Sequence, residues 1–118
     1  MGISMMTYKQ FSKLLERDGG RCYHCGAAGD NLVPQHRINR GMGGSKERER
    51  LSNIITLCSI VNGLLESDAD VARLGREKGW KLSVYEDPLK VPVYETWSGK
   101  WWLLRDNGTR VLAPSLKG

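Results

Sequence analysis

His36 is the side chain of this sequence best suited to proton transfer at neutral pH. It is one of two histidines, and the other, His24, lies between Cys22 and Cys25. A neutral imidazole can accept a proton near pH 7, because the unperturbed pKa of histidine is about 6.5. A lone histidine is more often structural than catalytic, but a glycine-rich basic loop and two asparagines follow this one. If the chain contains a general base, we expect it to be His36.

Three cysteines form a second group of reactive side chains. Cys22 and Cys25 have the C-x-x-C spacing of a metal-binding turn, and Cys58 follows much later. An odd number of cysteines without a recognisable signal peptide argues against a disulfide framework. The three thiols instead supply most of a zinc knuckle, whose structural form has four ligands. Either another group or water completes such a site, or the cysteines simply pack.

Positive charge is concentrated in the same half of the chain. Residues 1–59 contain nine Lys and Arg against five Asp and Glu, whereas residues 60–118 contain nine against eight. Five of the basic side chains fall between Arg37 and Arg50, around a run that contains three glycines. We predict a loop over 39–50, which is either a solvated segment or a surface that attracts phosphate groups.

The elements that must position these groups follow from local patterns. Thr7 and Gln10 have the spacing of a capping box and predict a helix over about 8–18, before two glycines. Residues 32–38 predict an edge strand, because a proline interrupts the run, and residues 54–57 predict a second strand.

Helical periodicity follows the second strand. It covers about 59–67 and continues to a stop at Gly79. A strand, a loop, a strand and a helix, with a histidine ending the first strand, is the order in which a ββα-metal nuclease presents its reactive groups.

The segment 80–112 differs in composition because it contains all four tryptophans. Runs at 91–97 and 100–104 flank a Ser-Gly pair and predict an antiparallel hairpin, and the pair Asn107-Gly108 is a second turn signal. The aromatic side chains either pack a small sheet or offer a platform on which bases stack.

Length and hydropathy set the broader expectations. A chain of 118 residues accommodates one small core, so we predict a single α+β domain over 1–118. No apolar run is long enough to span a bilayer, and the N-terminal residues do not read as a signal peptide. We therefore expect a cytoplasmic protein without a membrane partner.

One long motif resembles a known family. Residues 35–45 read Gln-His-Arg-Ile-Asn-Arg-Gly-Met-Gly-Gly-Ser, residues 53–58 read Asn-Ile-Ile-Thr-Leu-Cys, and residues 63–67 read Gly-Leu-Leu-Glu-Ser. These runs are similar to the HNH endonucleases of bacteriophages that infect actinobacteria, and the resemblance covers most of 21–112. It implies a ββα-metal core at about 21–67 with a preceding helix, a following helix and a tryptophan-rich hairpin at about 80–112.

The resemblance also implies roles for individual residues. His36 would be the general base that activates water, and Asn53 would hold the loop and orient the histidine through backbone hydrogen bonds. Asn62 would be a metal ligand, as in the H-N-N variant of phage junction-resolving nucleases, and Gln35 stands at the other ligand position. The cofactor would be Mg²⁺ or Mn²⁺, with zinc at Cys22, Cys25 and Cys58. DNA-backbone contacts are expected from Arg37, Arg40, Lys46, Arg48 and Arg50.

Two positions depart from the family pattern. Family members carry His or Asp where this chain has Gln35, and a fourth cysteine where it has Val61. The resemblance implies metal-dependent cleavage of DNA by a phage-encoded enzyme, with terminase and packaging proteins as possible partners. The departures leave two alternatives: a DNA-binding or phage accessory protein with weak or no catalysis, and a zinc-stabilised protein-interaction domain that uses the hairpin.

Overall fold

Two small antiparallel sheets and three α-helices make up the part of the chain that the computed structural model describes, residues 7–39 and 46–114. The helices are α1 (Tyr8–Arg17), α2 (Ser59–Ser67) and α3 (Ala69–Lys78). The strands are β1 (Leu32–His36), β2 (Ile54–Cys58), β3 (Val93–Glu95), β4 (Lys100–Leu104) and β5 (Arg110–Leu112). Two short 3-10 turns, Lys46–Glu49 and Leu51–Asn53, lead into β2. The predicted α+β class is confirmed.

Helix α1 begins where the capping box predicts. The hydroxyl of Thr7 accepts a hydrogen bond from the Gln10 backbone N–H, and the Gln10 side chain accepts one from the Thr7 N–H in return. These reciprocal bonds satisfy two of the N–H groups that a helix leaves without partners at its first turn.

The residue that follows α1 joins the Cys22–Cys25 turn to β2. Asp18 is fully buried and pairs with Arg17, with Nε 2.7 Å from Oδ1. Its carboxylate also accepts hydrogen bonds from the Tyr23 hydroxyl at 2.6 Å and from the Thr56 hydroxyl at 2.8 Å. Because every member of this network is hydrogen-bonded, the buried charges are compensated and the turn is held in place.

Strands β1 and β2 form a two-stranded antiparallel ladder. Leu32 pairs with Cys58 at one end and His36 pairs with Ile54 at the other. Pro34 is accommodated because each strand of a two-stranded sheet is an edge, where a missing N–H costs no ladder bond on the open side. Every residue of β2 is buried. The first predicted strand is confirmed but ends at His36, two residues earlier than the sequence pattern indicates.

Helix α2 begins directly at the end of β2 and contacts both strands. Asp68 then caps α3 by accepting hydrogen bonds from the N–H groups of Asp70 and Val71. Gly79 ends α3 with φ +79°, and a side chain there would bring its Cβ within 2.2 Å of the Pro92 carbonyl oxygen. The predicted helices and their stop at Gly79 are confirmed.

The second sheet has the strand order β3-β4-β5, so the predicted hairpin gains a third strand after the Asn107-Gly108 turn. Trp80 is fully buried in the core between the two sheets and donates its Nε1–H to the Tyr94 carbonyl. Buried Glu95 pairs with Arg110 at 2.8 Å and accepts a hydrogen bond from Trp102. These tryptophans therefore pack the sheet and the core.

No helix in residues 7–39 or 46–114 combines the length and the apolar composition needed to cross a membrane.

Candidate functional site

His36 lies at the end of β1 and is largely buried, with 16% of its side chain exposed. Its Nε2 is 3.2 Å from a carboxylate oxygen of Glu49, which belongs to the first 3-10 turn after the loop. A carboxylate beside an imidazole stabilises the protonated ring. Glu49 was not among the residues selected from the sequence. It lies 13 residues after His36, and no local pattern indicates that the two side chains meet.

A cavity of about 320 Å³ opens beside His36 and brings three of the predicted residues together. We call it the His36 pocket, and its lining comprises Val33, Pro34, Gln35, His36, Asn39, Asn62 and Glu66. The amide nitrogen of Gln35 donates to the His36 carbonyl at 2.8 Å. The amide oxygen of Gln35 is the atom of this side chain that can accept a hydrogen bond or bind a cation. Gln35, His36 and Asn62, which lie on a strand and a helix, thus face one cavity.

Glu66 adds a carboxylate that the motif reasoning did not select. It follows Asn62 by four residues on α2, so the two side chains lie on the same face of the helix. Its side chain is 62% exposed, and its carboxylate is 3.6 Å from Nζ of Lys81. An acidic residue four positions after Asn62 is the sequence signal that could have identified it.

Asn53 holds both sides of the loop that follows His36. Its Oδ1 accepts a hydrogen bond from the Ile38 N–H at 2.9 Å, and its Nδ2 donates to the carbonyls of Ile38 at 3.2 Å and Arg48 at 2.9 Å. The side chain is buried, so these three bonds replace contacts with water that the amide has lost. Asn53 therefore bonds to residues on both sides of the segment 40–45, and its role in orienting His36 stays a prediction.

Arg37 does not have the exposure that its predicted DNA contact requires. It is 1% exposed, and its guanidinium donates to four backbone carbonyls, those of Ser52, Gly79, Pro88 and Val91. Burial lowers the pKa of Arg37 to about 10, so the group remains charged at neutral pH. The prediction is wrong because the guanidinium is buried and bonded to backbone carbonyls from separate segments of the chain, so it does not reach the surface.

Arg48 and Arg50 remain partly accessible and line a cavity other than the His36 pocket. Arg50 forms an ion pair with Asp106 at 2.8 Å, and hydrogen bonds from Arg50 and Ser52 outweigh desolvation and lower the pKa of that carboxyl group. Among the residues that the structure describes, the buried Nε–H of Arg48 has no hydrogen-bond partner. The predicted contacts from Arg40 and from the side chain of Lys46 lie outside the described part of the molecule.

The three cysteines meet at the opposite end of the ladder. Their sulfur atoms all lie within 4.8 Å of one another, and Sγ of Cys25 is 3.8 Å from Sγ of Cys58. Two sulfurs bound to one tetrahedral zinc ion at about 2.3 Å are roughly 3.8 Å apart. The thiols are free and close enough to hold one metal ion.

The surroundings of the thiols differ. Burial raises the pKa of Cys22 to about 11. Partial desolvation opposes ionisation of Cys25, but hydrogen bonds from the Ala27 backbone and from both other thiols lower its pKa. Among the described residues the close set of ligand atoms does not include His24, whose ring packs edge-on against Trp80.

No family model, curated protein or solved structure matches this chain. What the molecule does is therefore inferred from its two groups of side chains, one with an imidazole and oxygen ligands and one with thiols. The first can accept a proton beside a hard cation, and the second can hold a soft metal.

Proposed function

We propose that the protein is a DNA endonuclease of the ββα-metal (HNH) type that depends on Mg²⁺ or Mn²⁺. The observation that carries the proposal is the His36 pocket, in which a strand-end histidine faces oxygen ligands from the next helix. The order β1, loop, β2, α2 supports the same reading, since it matches the order of elements in that class of nuclease.

His36 acts as the general base in this proposal. It takes a proton from water, the oxygen of that water attacks the phosphorus, and the phosphodiester bond to the leaving oxygen breaks. The carboxylate of Glu49, 3.2 Å from Nε2 of His36, stabilises the imidazolium that forms. Asn53 keeps His36 and the start of the loop in register with β2 through its bonds to Ile38 and Arg48.

The oxygen atoms of Gln35, Asn62 and Glu66 would hold the divalent cation. All three residues line the His36 pocket, and oxygen ligands suit the hard cations Mg²⁺ and Mn²⁺. When bound, the cation supplies positive charge that stabilises the leaving oxyanion. Glu66 provides the one carboxylate among these ligands, so it compensates for the neutral amide at Gln35.

The test is plasmid cleavage by the full chain with Mg²⁺ or Mn²⁺, with EDTA as a control that excess Mg²⁺ reverses. We expect His36→Ala to lower the cleavage rate by about 10²- to 10⁴-fold. The matched control is His24→Ala, which removes the other histidine, at the thiol end, and should leave the rate nearly unchanged. Thermal melting of each variant shows whether it is folded.

Cleavage that survives His36→Ala in a folded protein contradicts the proposed base. Absence of cleavage by the unmodified protein with either cation contradicts the nuclease.

A second candidate is a DNA-binding protein of the same fold with little or no catalysis. It is favoured by the neutral ligand Gln35, whose amide is already bonded to the His36 carbonyl, and by the Lys81 ammonium beside Glu66. This candidate predicts salt-dependent DNA binding without turnover. The variant Gln35→Asp, which adds a carboxylate ligand, should then gain nicking activity.

We also propose zinc as the metal of Cys22, Cys25 and Cys58, in a structural role. Thiolates favour zinc, and the sulfur separation fits a shared tetrahedral ion. Metal analysis of protein purified without chelators should give about one zinc per chain, with loss of thermal stability after its removal. A metal-free protein with an unchanged melting temperature would contradict this role.

A further inference from the structure

A second cavity, of about 250 Å³, lies next to the segment that Asn53 holds. We call it the Arg48 pocket. It shares no lining residue with the His36 pocket, yet Ile38 and Asn53 line it, and these residues are tied to the strand end that carries His36. A ligand in this cavity would therefore sit close to the proposed catalytic segment.

The Arg48 pocket combines a hydrogen-bond donor with acceptors. Arg48 contributes guanidinium N–H donors, and Glu86 and Asp87 contribute carboxylates. Each carboxylate is fixed by accepting a backbone N–H, from Ser83 at 2.8 Å and from Leu89 at 3.0 Å respectively.

This mixture places the guanidinium groups of Arg48 and Arg50 against two carboxylates, so the lining has no net positive charge to attract a phosphate group, which offers only acceptors. It suits the edge of a nucleobase, which presents amino or imino donors next to ring nitrogen or carbonyl acceptors.

The rim of the pocket carries an exposed aromatic ring. Tyr85 is 94% exposed and its neighbour Val84 is 58% exposed, although both line the cavity. Proteins that bind unpaired bases stack them on aromatic side chains of this kind. A ring at the rim and a mixed donor and acceptor lining below it are complementary to the face and the edge of one base.

We propose that the Arg48 pocket binds one unpaired base of the DNA strand, with the base stacked on Tyr85 and its edge bonded to Arg48 and to a carboxylate. A base inside a duplex has its edge occupied by pairing, so the pocket admits it only at a bulge, an overhang or a branch. The inference rests on the proposed nuclease function and specifies its substrate class: DNA with an unpaired nucleotide near the cleaved bond.

The experiment measures fluorescence anisotropy with a fully paired duplex and with the same duplex carrying a one-nucleotide bulge, for each of the four bases. Magnesium and manganese are omitted so that binding is separated from cleavage. We expect the bulged duplex to bind about fivefold or more tightly than the paired one, the least that stacking of one base contributes. Tyr85→Phe should keep this preference, whereas Tyr85→Ala should abolish it.

The matched control is Tyr8→Ala, which removes an 87% exposed tyrosine on α1 that does not line the Arg48 pocket, and it should keep the preference. A further arm adds free deoxynucleosides at millimolar concentration, which should compete poorly if the base must belong to a strand. Competition as strong as that of the bulged duplex would overturn the assignment to DNA.

Equal affinity of the unmodified protein for both duplexes, or a bulge preference that survives Tyr85→Ala, overturns the inference. Its failure is distinguishable from that of the nuclease proposal. Cleavage without bulge preference removes only the unpaired-base site, and bulge preference without cleavage in magnesium or manganese supports that site while it contradicts catalysis.

Discussion

The two ends of the β1–β2 ladder carry different chemistry. At one end Cys58 pairs with Leu32 and belongs to the thiol cluster, and at the other end Ile54 pairs with His36. Four steps along an extended strand separate these ends by roughly 13 Å. Thiolates select soft metals such as zinc, whereas amide and carboxylate oxygens select magnesium. In the proposed function, the β1–β2 ladder therefore keeps two kinds of metal ligand apart, one for stability and one for chemistry.

The two ends also differ in what holds them. The His36 end is fixed by side chains that bond to backbone, chiefly Asn53 and Arg37, and needs no metal for its geometry. At the thiol end the Asp18–Tyr23 bond anchors the turn, whereas the Cys25 thiol contacts only the Ala27 backbone and the other two thiols among the partners described above. Stability at the His36 end should therefore be independent of metal, and stability at the thiol end should follow zinc.

The largest expected effect comes from Asn53→Ala. It leaves the Ile38 N–H and two carbonyls without their partner in a buried place, so we expect the free energy of unfolding to fall by about 2 to 4 kcal/mol. Urea unfolding with and without added zinc measures this loss, which should be the same in both.

The matched control is Asn62→Ala, which removes an amide from the His36 pocket and should change the free energy of unfolding by less than about 0.5 kcal/mol. A loss from Asn53→Ala that zinc restores would contradict the separation of the two ends.

Val61→Cys tests the thiol end. Val61 lies on the first turn of α2, three residues after Cys58, and packs in the same buried cluster as Cys22. A fourth thiol there should complete the tetrahedron, and binding to the folded state alone then stabilises it by about 2.7 kcal/mol at free zinc 100 times Kd. The measurement is a melting curve at several zinc concentrations.

Val84→Cys supplies the control, since it places an added thiol at an exposed position of the Arg48 pocket. If both variants respond to zinc as the unmodified protein does, position 61 does not supply a fourth ligand to the cluster. Cleavage by Val61→Cys should stay unchanged.

Local patterns in the sequence predict most of the helices and strands, because the interactions that begin and end them involve residues close together in the sequence. The capping box at Thr7, the alternation of turn and apolar runs, and the glycine that ends α3 each depend on a few neighbouring residues. The C-x-x-C spacing of Cys22 and Cys25, together with the pairing of β1 with β2, also accounts for the closeness of these two residues to Cys58.

Partners that are distant in the sequence are not predictable in this way. The four carbonyls around Arg37 come from three separate segments, so no sequence pattern near Arg37 predicts that its side chain is buried. The contact of Glu49 with His36 joins residues that are 13 positions apart in the sequence. The presence of Glu66 in the His36 pocket depends on how α2 packs on β1. Each of these positions is set by tertiary packing.

Glu66→Gln tests the oxygen ligands at the His36 end. Removal of a residue in the outer shell of a metal site commonly costs about 10- to 100-fold in metal affinity, so loss of a direct carboxylate should raise the Mg²⁺ concentration for half-maximal cleavage at least tenfold. Zinc content should not change.

The control is Glu77→Gln, an exposed carboxylate on α3 outside the His36 pocket. If Glu66→Gln shows the same Mg²⁺ dependence as Glu77→Gln, the Glu66 carboxylate is not a ligand of the cation.

The smallest expected effect is a change in the salt dependence of DNA binding. It tests which end of the β1–β2 ladder the DNA contacts. Arg50 is next to Glu49 at the His36 end, whereas Arg21 is at the thiol end, 5.0 Å from the ring centre of Trp97. Each phosphate contact contributes about 0.9 to the slope of log affinity against log salt concentration. Arg50→Ala should reduce the magnitude of this slope by less than about 0.9, because Asp106 already neutralises part of the Arg50 charge. Arg21→Ala should leave the slope unchanged, so an equal decrease for both variants would mean that DNA does not distinguish the two ends of the ladder.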